Sequence, residues 1–168
     1  RGYRMAVKNT LTAPVENLLA DAVHAELYAA NLYKHLANQL QRLGYPGAQK
    51  WFLHESADEL DHYQRHADYL NDRGSVAQVP AVEAILDKVT ELRGALQIAY
   101  DTELALQDDY ARWYGLADPV TQQHLLQFLE IQRKSVGEYG DWLARVDRAA
   151  GDPCGLLLID QELGESVA

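Results

Sequence analysis

Phe52-Leu53-His54-Glu55-Ser56-Ala57-Asp58-Glu59-Leu60-Asp61-His62 is the stretch on which the reading of this chain turns. Glu59 and His62 are three residues apart, so a helix puts them on one face. A carboxylate inside a helix bundle is costly unless something positive compensates it. Carboxylate oxygens and one imidazole nitrogen suit iron, manganese or zinc. Glu-x-x-His also recurs by chance in helical sequence, so the pair needs company. It has company in Glu26, between Ala25 and Leu27, and in Glu103, next to Leu104 and Ala105. A Glu from one helix with Glu-x-x-His from another is the ligand chemistry of two-metal carboxylate bundles. Tyr33, seven residues and two turns after Glu26, shares its face and can donate a hydrogen bond to a metal-bound carboxylate. Taken singly, each has a plainer reading: Tyr33 as core, Glu26 at a surface seam, Glu103 facing water beside Asp101, and His66 at the periphery. Coinciding faces on three helices favour the metal pair.

Outward from this segment the apolar residues keep helical spacing. A first stretch begins after Thr12, its cap, with Pro14 in the first turn and Glu16 near the positive end. It carries Val15, Leu18, Leu19, Ala22, Ala29, Leu32, Leu36 and Leu40 on one face and stops at Leu43-Gly44-Tyr45-Pro46-Gly47. That link is short enough for an antiparallel return. A second stretch runs from about Ala48 to Asn71 and closes at Asp72-Arg73-Gly74. Residues 75–89 read as a loop around Pro80, with 82–89 either a helical turn or extended chain. The third covers 90–115, Asp118-Pro119 breaks it, and the fourth reaches about Ala149. Gly151-Asp152-Pro153 precedes a short apolar fifth helix at 155–160. Helices of about 25–30 residues span roughly 38–45 Å. The long second-to-third connection can run the length of the bundle and leave those helices parallel. The expected fold is therefore an all-α, up-down-down-up four-helix bundle with a short C-terminal helix. Residues 1–12 read as an N-terminal extension and 13–168 as one domain; residues 1–4, an expression remnant or a natural extension, receive no role.

The chain has 168 residues, of which 48% are hydrophobic, enough for one domain with a good core. No apolar run approaches the roughly 20 residues that span a bilayer, and no secretory leader opens the sequence. The single cysteine, Cys154, fits a reducing compartment, so the expected location is cytoplasmic. The formal charge of −10 disfavours nucleic acid as the main partner. Acidic surface also gathers cations, although solubility alone would explain it.

The segment from Phe52 to His62 resembles the second helix of ferritins and bacterioferritins. Glu26-Leu27-Tyr28 with Tyr33 resembles the first-helix motif of that family, and the sequence from Gly155 to Gly164 is similar to the C-terminal helix of non-haem ferritins. The resemblance covers nearly everything from Val15 onward. It implies a ferritin-like bundle, oxidation of ferrous iron by dioxygen or peroxide, storage of ferric mineral, and a hollow homo-oligomer of twenty-four subunits. By the same resemblance Glu26 binds one iron, Glu59 bridges both, His62 completes the first site, Glu103 binds the second, Tyr33 stands beside the centre, and Gln132 matches a fourth-helix glutamine that faces the metals. Asp58 and Asp61 fall where the family carries acids that nucleate mineral; a solvated helix face explains them equally well.

The departures from the family are informative. A second Glu-x-x-His on the fourth helix is missing; the matching positions hold Val136 and Tyr139, or Gln132 and Ser135. That argues for an asymmetric, ferritin-type site over an oxygenase. Leu60 stands where bacterioferritins carry the haem-binding methionine, so no haem is expected. Thr121, Gln122 and Leu125 replace the acids that line the family's three-fold channel. Two further readings stay open: a silent cage or structural subunit, and a starvation-type dodecamer that protects DNA. The dodecamer's first-helix histidine pattern is absent, and the short C-terminal helix also argues against it.

Overall fold

The computed structural model describes residues 7–168. Arg1 to Arg4 and Met5 lie outside the described residues. Five helices follow in order: α1 (Ala13–Arg42), α2 (Pro46–Asp72), α3 (Leu92–Leu116), α4 (Pro119–Ala149) and α5 (Pro153–Ser166). There is no strand among the described residues, and no helix among them is long and apolar enough to cross a membrane. The order and lengths match the all-α bundle expected from the spacing of apolar residues.

The helix ends follow local chemistry. Pro46 and Pro119 each stand in a first turn, where the missing N–H costs nothing. Asp118 caps α4 by accepting from the Val120 and Thr121 amides at 3.0 and 3.1 Å. Thr12 differs from expectation: its carbonyl closes the first turn on Glu16, but its hydroxyl makes no cap bond. α2 starts two residues earlier than predicted because Pro46 is a better first-turn residue than an interior one. α3 starts two residues later, at Leu92. Gly44 turns the α1–α2 link at φ 87°, a conformation that costs other residues more.

Residues 73–91 settle the topology. They contain no helix and climb alongside α1: Glu83 meets His24 at 2.9 Å, the Asp87 carbonyl accepts from Gln39 at 3.0 Å, and the Val89 amide donates to Gln39 at 2.9 Å. Numbers rise together along both segments, so the crossover runs parallel to α1. α3 therefore enters at the far end of α1 and runs back beside it, which is the up-down-down-up order.

Two apolar cores divide the bundle by level. One gathers Val15, Leu19, Leu106, Tyr110, Leu125 and Phe128. The other gathers Leu36, Leu40, Trp51, Phe52, Leu96 and Tyr139. α5 packs onto the start of α2, where Asp160 accepts from the Ala48 and Gly47 amides at 2.7 and 3.1 Å. Gly47 is needed there, because a Cβ would lie 1.8 Å from the Asp160 carbonyl oxygen. α5 is also longer than the six-residue stretch 155–160 predicted, reaching Ser166.

Candidate metal centre

Between the two cores lies a layer of buried polar groups. Glu26 from α1, Glu59 and His62 from α2, Glu103 from α3 and Gln132 from α4 are each at most 8% exposed. Four helices thus turn polar side chains into one level, which no single helix pattern would explain. Glu26, Glu59 and His62 bring one ligand atom each to within 4.8 Å of one another. His62 Nδ1 stands 3.1 Å from Glu59 and 3.6 Å from Glu26. The second oxygen of Glu26, Oε2, is buried with no hydrogen-bond partner. An unpartnered carboxylate oxygen is expensive in a protein interior, and a cation is what such an oxygen accepts.

Glu103 stands apart from that trio. Tyr33 donates to its Oε1, and the Gln132 amide nitrogen donates to its Oε2 at 2.6 Å and to its main-chain carbonyl at 3.2 Å. Tyr33 therefore serves a glutamate on another helix rather than Glu26 on its own. A matching bond runs the other way: Tyr110, seven residues after Glu103 on α3, donates to Glu26 on α1. Because α1 and α3 are antiparallel, each tyrosine sits level with the other helix's glutamate, and the pairs form a reciprocal brace.

The charges are arranged unevenly. Burial alone would raise the Glu26 carboxyl, but the Glu59 and His62 side chains beside it outweigh that and hold Glu26 down at about 2. Burial and then the Glu26 charge push Glu59 well above the usual carboxylate range. Burial also raises Glu103, against the pull of Tyr33 and Gln132. Burial disfavours the His62 cation, yet its contact with Glu26 prevails and its pKa rises. Both shifts favour the protonated forms of Glu59 and His62 beside the Glu26 carboxylate. Metal ligands must shed such protons, so cations and protons compete for this layer.

Glu59 and His62 also line a cleft of about 430 Å³ between α2 and α4, together with Glu55, Asp58, Asp61 and Glu138. Its one cationic wall residue, Arg65, is paired with Asp61 at 2.6 Å. Asp58 and Asp61 are more than half exposed. The acidic groups thus lead from solvent to the buried layer.

His66 corrects the sequence reading. It is fully buried, not peripheral, and bonds to Tyr110 at 2.7 Å and to His124 at 3.0 Å. The signal was present in two spacings: His66 is four residues after His62, and Tyr110 stands to Glu103 as Tyr33 stands to Glu26. His124 gave none, since only the rotation of α4 against α2 brings it near. On α4, Tyr139, at a position where a second Glu-x-x-His was sought, donates instead to Glu55 at 3.1 Å.

Comparison with known proteins agrees with fold and sequence alike. The family model described as ferritin-like domain matches residues 16–149. A probable bacterial non-heme ferritin-like protein of Haemophilus influenzae is 27% identical over 158 residues, covering 92% of this chain and 96% of that protein. A ferritin of the crayfish Pacifastacus leniusculus is 30% identical over 149 residues, 84% of this chain and 82% of its own. Among solved structures, an open-pore ferritin from the archaeon Archaeoglobus fulgidus superposes with a TM-score of 0.90 at 22% identity, over 92% of this chain and 98% of that one. With the matched region running from the first helix to the last residue of the fourth, the chain belongs to the ferritin family.

Proposed function

We propose that this protein takes up ferrous iron, oxidises it with dioxygen at a paired site, and stores the ferric product inside a homo-oligomeric cage of twenty-four subunits. The observation that carries this reading is the buried Glu26–Glu59–His62 trio, with an oxygen of Glu26 left without a partner. Iron is the substrate. Glu26 and His62 hold one ferrous ion, Glu59 touches both, and Glu103 holds the second. Gln132 keeps Glu103 in place through its nitrogen and offers its carbonyl oxygen to the second ion. Hard oxygen donors with a single imidazole suit ferrous iron while leaving positions open. Two ferrous ions supply the two electrons that take one dioxygen to the peroxide level, and water supplies the two protons, because Glu59 and His62 give up theirs when iron binds. The ferric products bind hydroxide strongly, and no full cage of side chains retains them, so they pass down the acidic cleft and grow as hydrated oxide. Haem has no part in this reading, because Leu60 offers no ligand.

A silent subunit is the competing reading. Its support is that Glu103 is already bonded by Tyr33 and Gln132. Stopped-flow absorbance after mixing with ferrous iron in air separates the two. Glu59→Ala should abolish fast oxidation, with the helices intact and apo-protein melting no lower than wild type, since an uncompensated buried carboxyl is removed. Wild-type rates in that variant would refute the assignment, and a wild type that never oxidises iron faster than buffer would favour the silent subunit.

A further inference from the structure

Four side chains outside the ligand set end on Glu26 in a single line. Tyr110 donates to Glu26 Oε1, His66 Nε2 lies 2.7 Å from the Tyr110 oxygen, His66 Nδ1 lies 3.0 Å from His124 Nε2, and the Gln127 amide nitrogen stands 3.5 Å from His124 Nδ1. Donor counting fixes the direction. A tyrosine has one proton, and here Glu26 receives it. His66 must then donate through Nε2–H, which leaves its Nδ1 as an acceptor for Nε2–H of His124. Every hydrogen bond in the line therefore points at the same carboxylate oxygen.

The surroundings hold that order. Phe128 stacks on His66 with ring centroids 4.0 Å apart, Tyr69 stacks on His124 at 4.0 Å, and Trp113 meets the Tyr110 ring edge-on at 5.1 Å. Burial keeps both imidazoles neutral, pushing His66 down to about 3 and His124 to about 4. Tyr110 and His66 are fully buried, whereas His124 is half-buried at the α2–α4 edge.

We propose that Tyr110, His66 and His124 are positioning residues that occupy Glu26 Oε1 and so present Glu26 to metal through Oε2 alone. The unpartnered Oε2, turned toward His62, is the other half of the same arrangement. One-oxygen binding leaves a coordination position free that a two-oxygen grip would fill. This inference rests on the metal reading above and specifies how one ligand is held.

Cobalt(II), which dioxygen does not oxidise readily in such oxygen-rich sites, serves as the probe. The measurements are calorimetric affinity and the visible ligand-field bands, whose intensity falls as coordination number rises. Tyr110→Phe should weaken binding about tenfold, the usual cost of losing an outer hydrogen-bond partner, and should lower band intensity as Glu26 takes the metal with both oxygens. His66→Leu should do the same. His66→Gln should restore wild-type values, because its amide nitrogen can donate where Nε2 does. If Tyr110→Phe does not fold, His66→Leu and His124→Phe carry the test, the second at the edge where packing is looser. Wild-type affinity and spectrum in the folded variants would overturn the proposal. A wild type that takes up no cobalt, or takes it up equally well after Glu59→Ala, would instead sink the metal site itself.

Discussion

Glu55 shows how finely neighbouring carboxyls on one helix can differ. It lies one turn before Glu59, and burial first, then the charges of Glu103, Glu138 and Asp58, push it from 4.5 up to about 8 despite the bond from Tyr139. A carboxyl whose pKa is raised by folding binds its proton more tightly in the native state. Its contribution to stability is whole below the unfolded value of 4.5 and disappears as pH passes about 8. Metal-free protein should therefore lose melting temperature between pH 5 and 8. Glu55→Gln, which stays neutral and can still accept from Tyr139, should flatten that decline in calorimetric melts. Phe128 makes the complementary case among apolar residues. Its ring contacts His66, Tyr110, His124 and the edge of His62, so Phe128→Ala should cost about 3–5 kcal/mol in denaturant titration. Among the residues of the buried polar layer, Glu26, Glu59, His62 and Glu103 could be picked out in the chain because each follows one helix's periodicity. The partners were not: whether Tyr33 reaches Glu26 or Glu103 depends on the antiparallel pairing of two helices, and His124 is placed by a third.

At the scale of elements, the helices were legible because prolines, aspartate caps and glycine stops punctuate a strong 3.6-residue pattern. The crossover was not. Residues 82–89 read as either a helical turn or extended chain, and they form no helix; the Asp87 carbonyl accepts from His35 and Gln39 of α1, and the Val89 amide donates to Gln39. Main-chain groups satisfied by α1 side chains in this way have no need of internal helix bonds. α5 was underestimated for a related reason: beyond Asp160 its sequence is polar, and only docking on α2 shows that Leu163 is buried. The Asp160 carboxylate satisfies two first-turn amides of α2. Asp160→Ala should accordingly cost about 1–2 kcal/mol, as the loss of a helix cap does. Thermal melting would show it, while the metal binding proposed at His62 and Glu59, several turns away, should be unchanged.

For the whole molecule, exposed apolar side chains point outward from several places, the crossover and α5 among them. Val76, Val79 and Leu86 of the crossover are 62–82% exposed, and Leu157 and Leu158 of α5 are more than half exposed. A lone subunit would leave both patches in water. Light scattering coupled to size exclusion should find a mass many times the 18.9 kDa of one chain; a stable monomer or dimer at micromolar concentration would contradict the cage. The net charge of −10 adds that this assembly should attract cations and repel polyanions. The clamp between α5 and α2 also imposes a timetable. Gly47 and Asp160 are 113 residues apart, so a ribosome working at roughly 5–20 residues per second needs roughly 6–23 seconds to emit the second after the first. Throughout that interval the helix bearing Glu59 and His62 has bare amides at its leading end, and a nascent chain stalled before Asp160 should expose α2 to protease where the released protein does not.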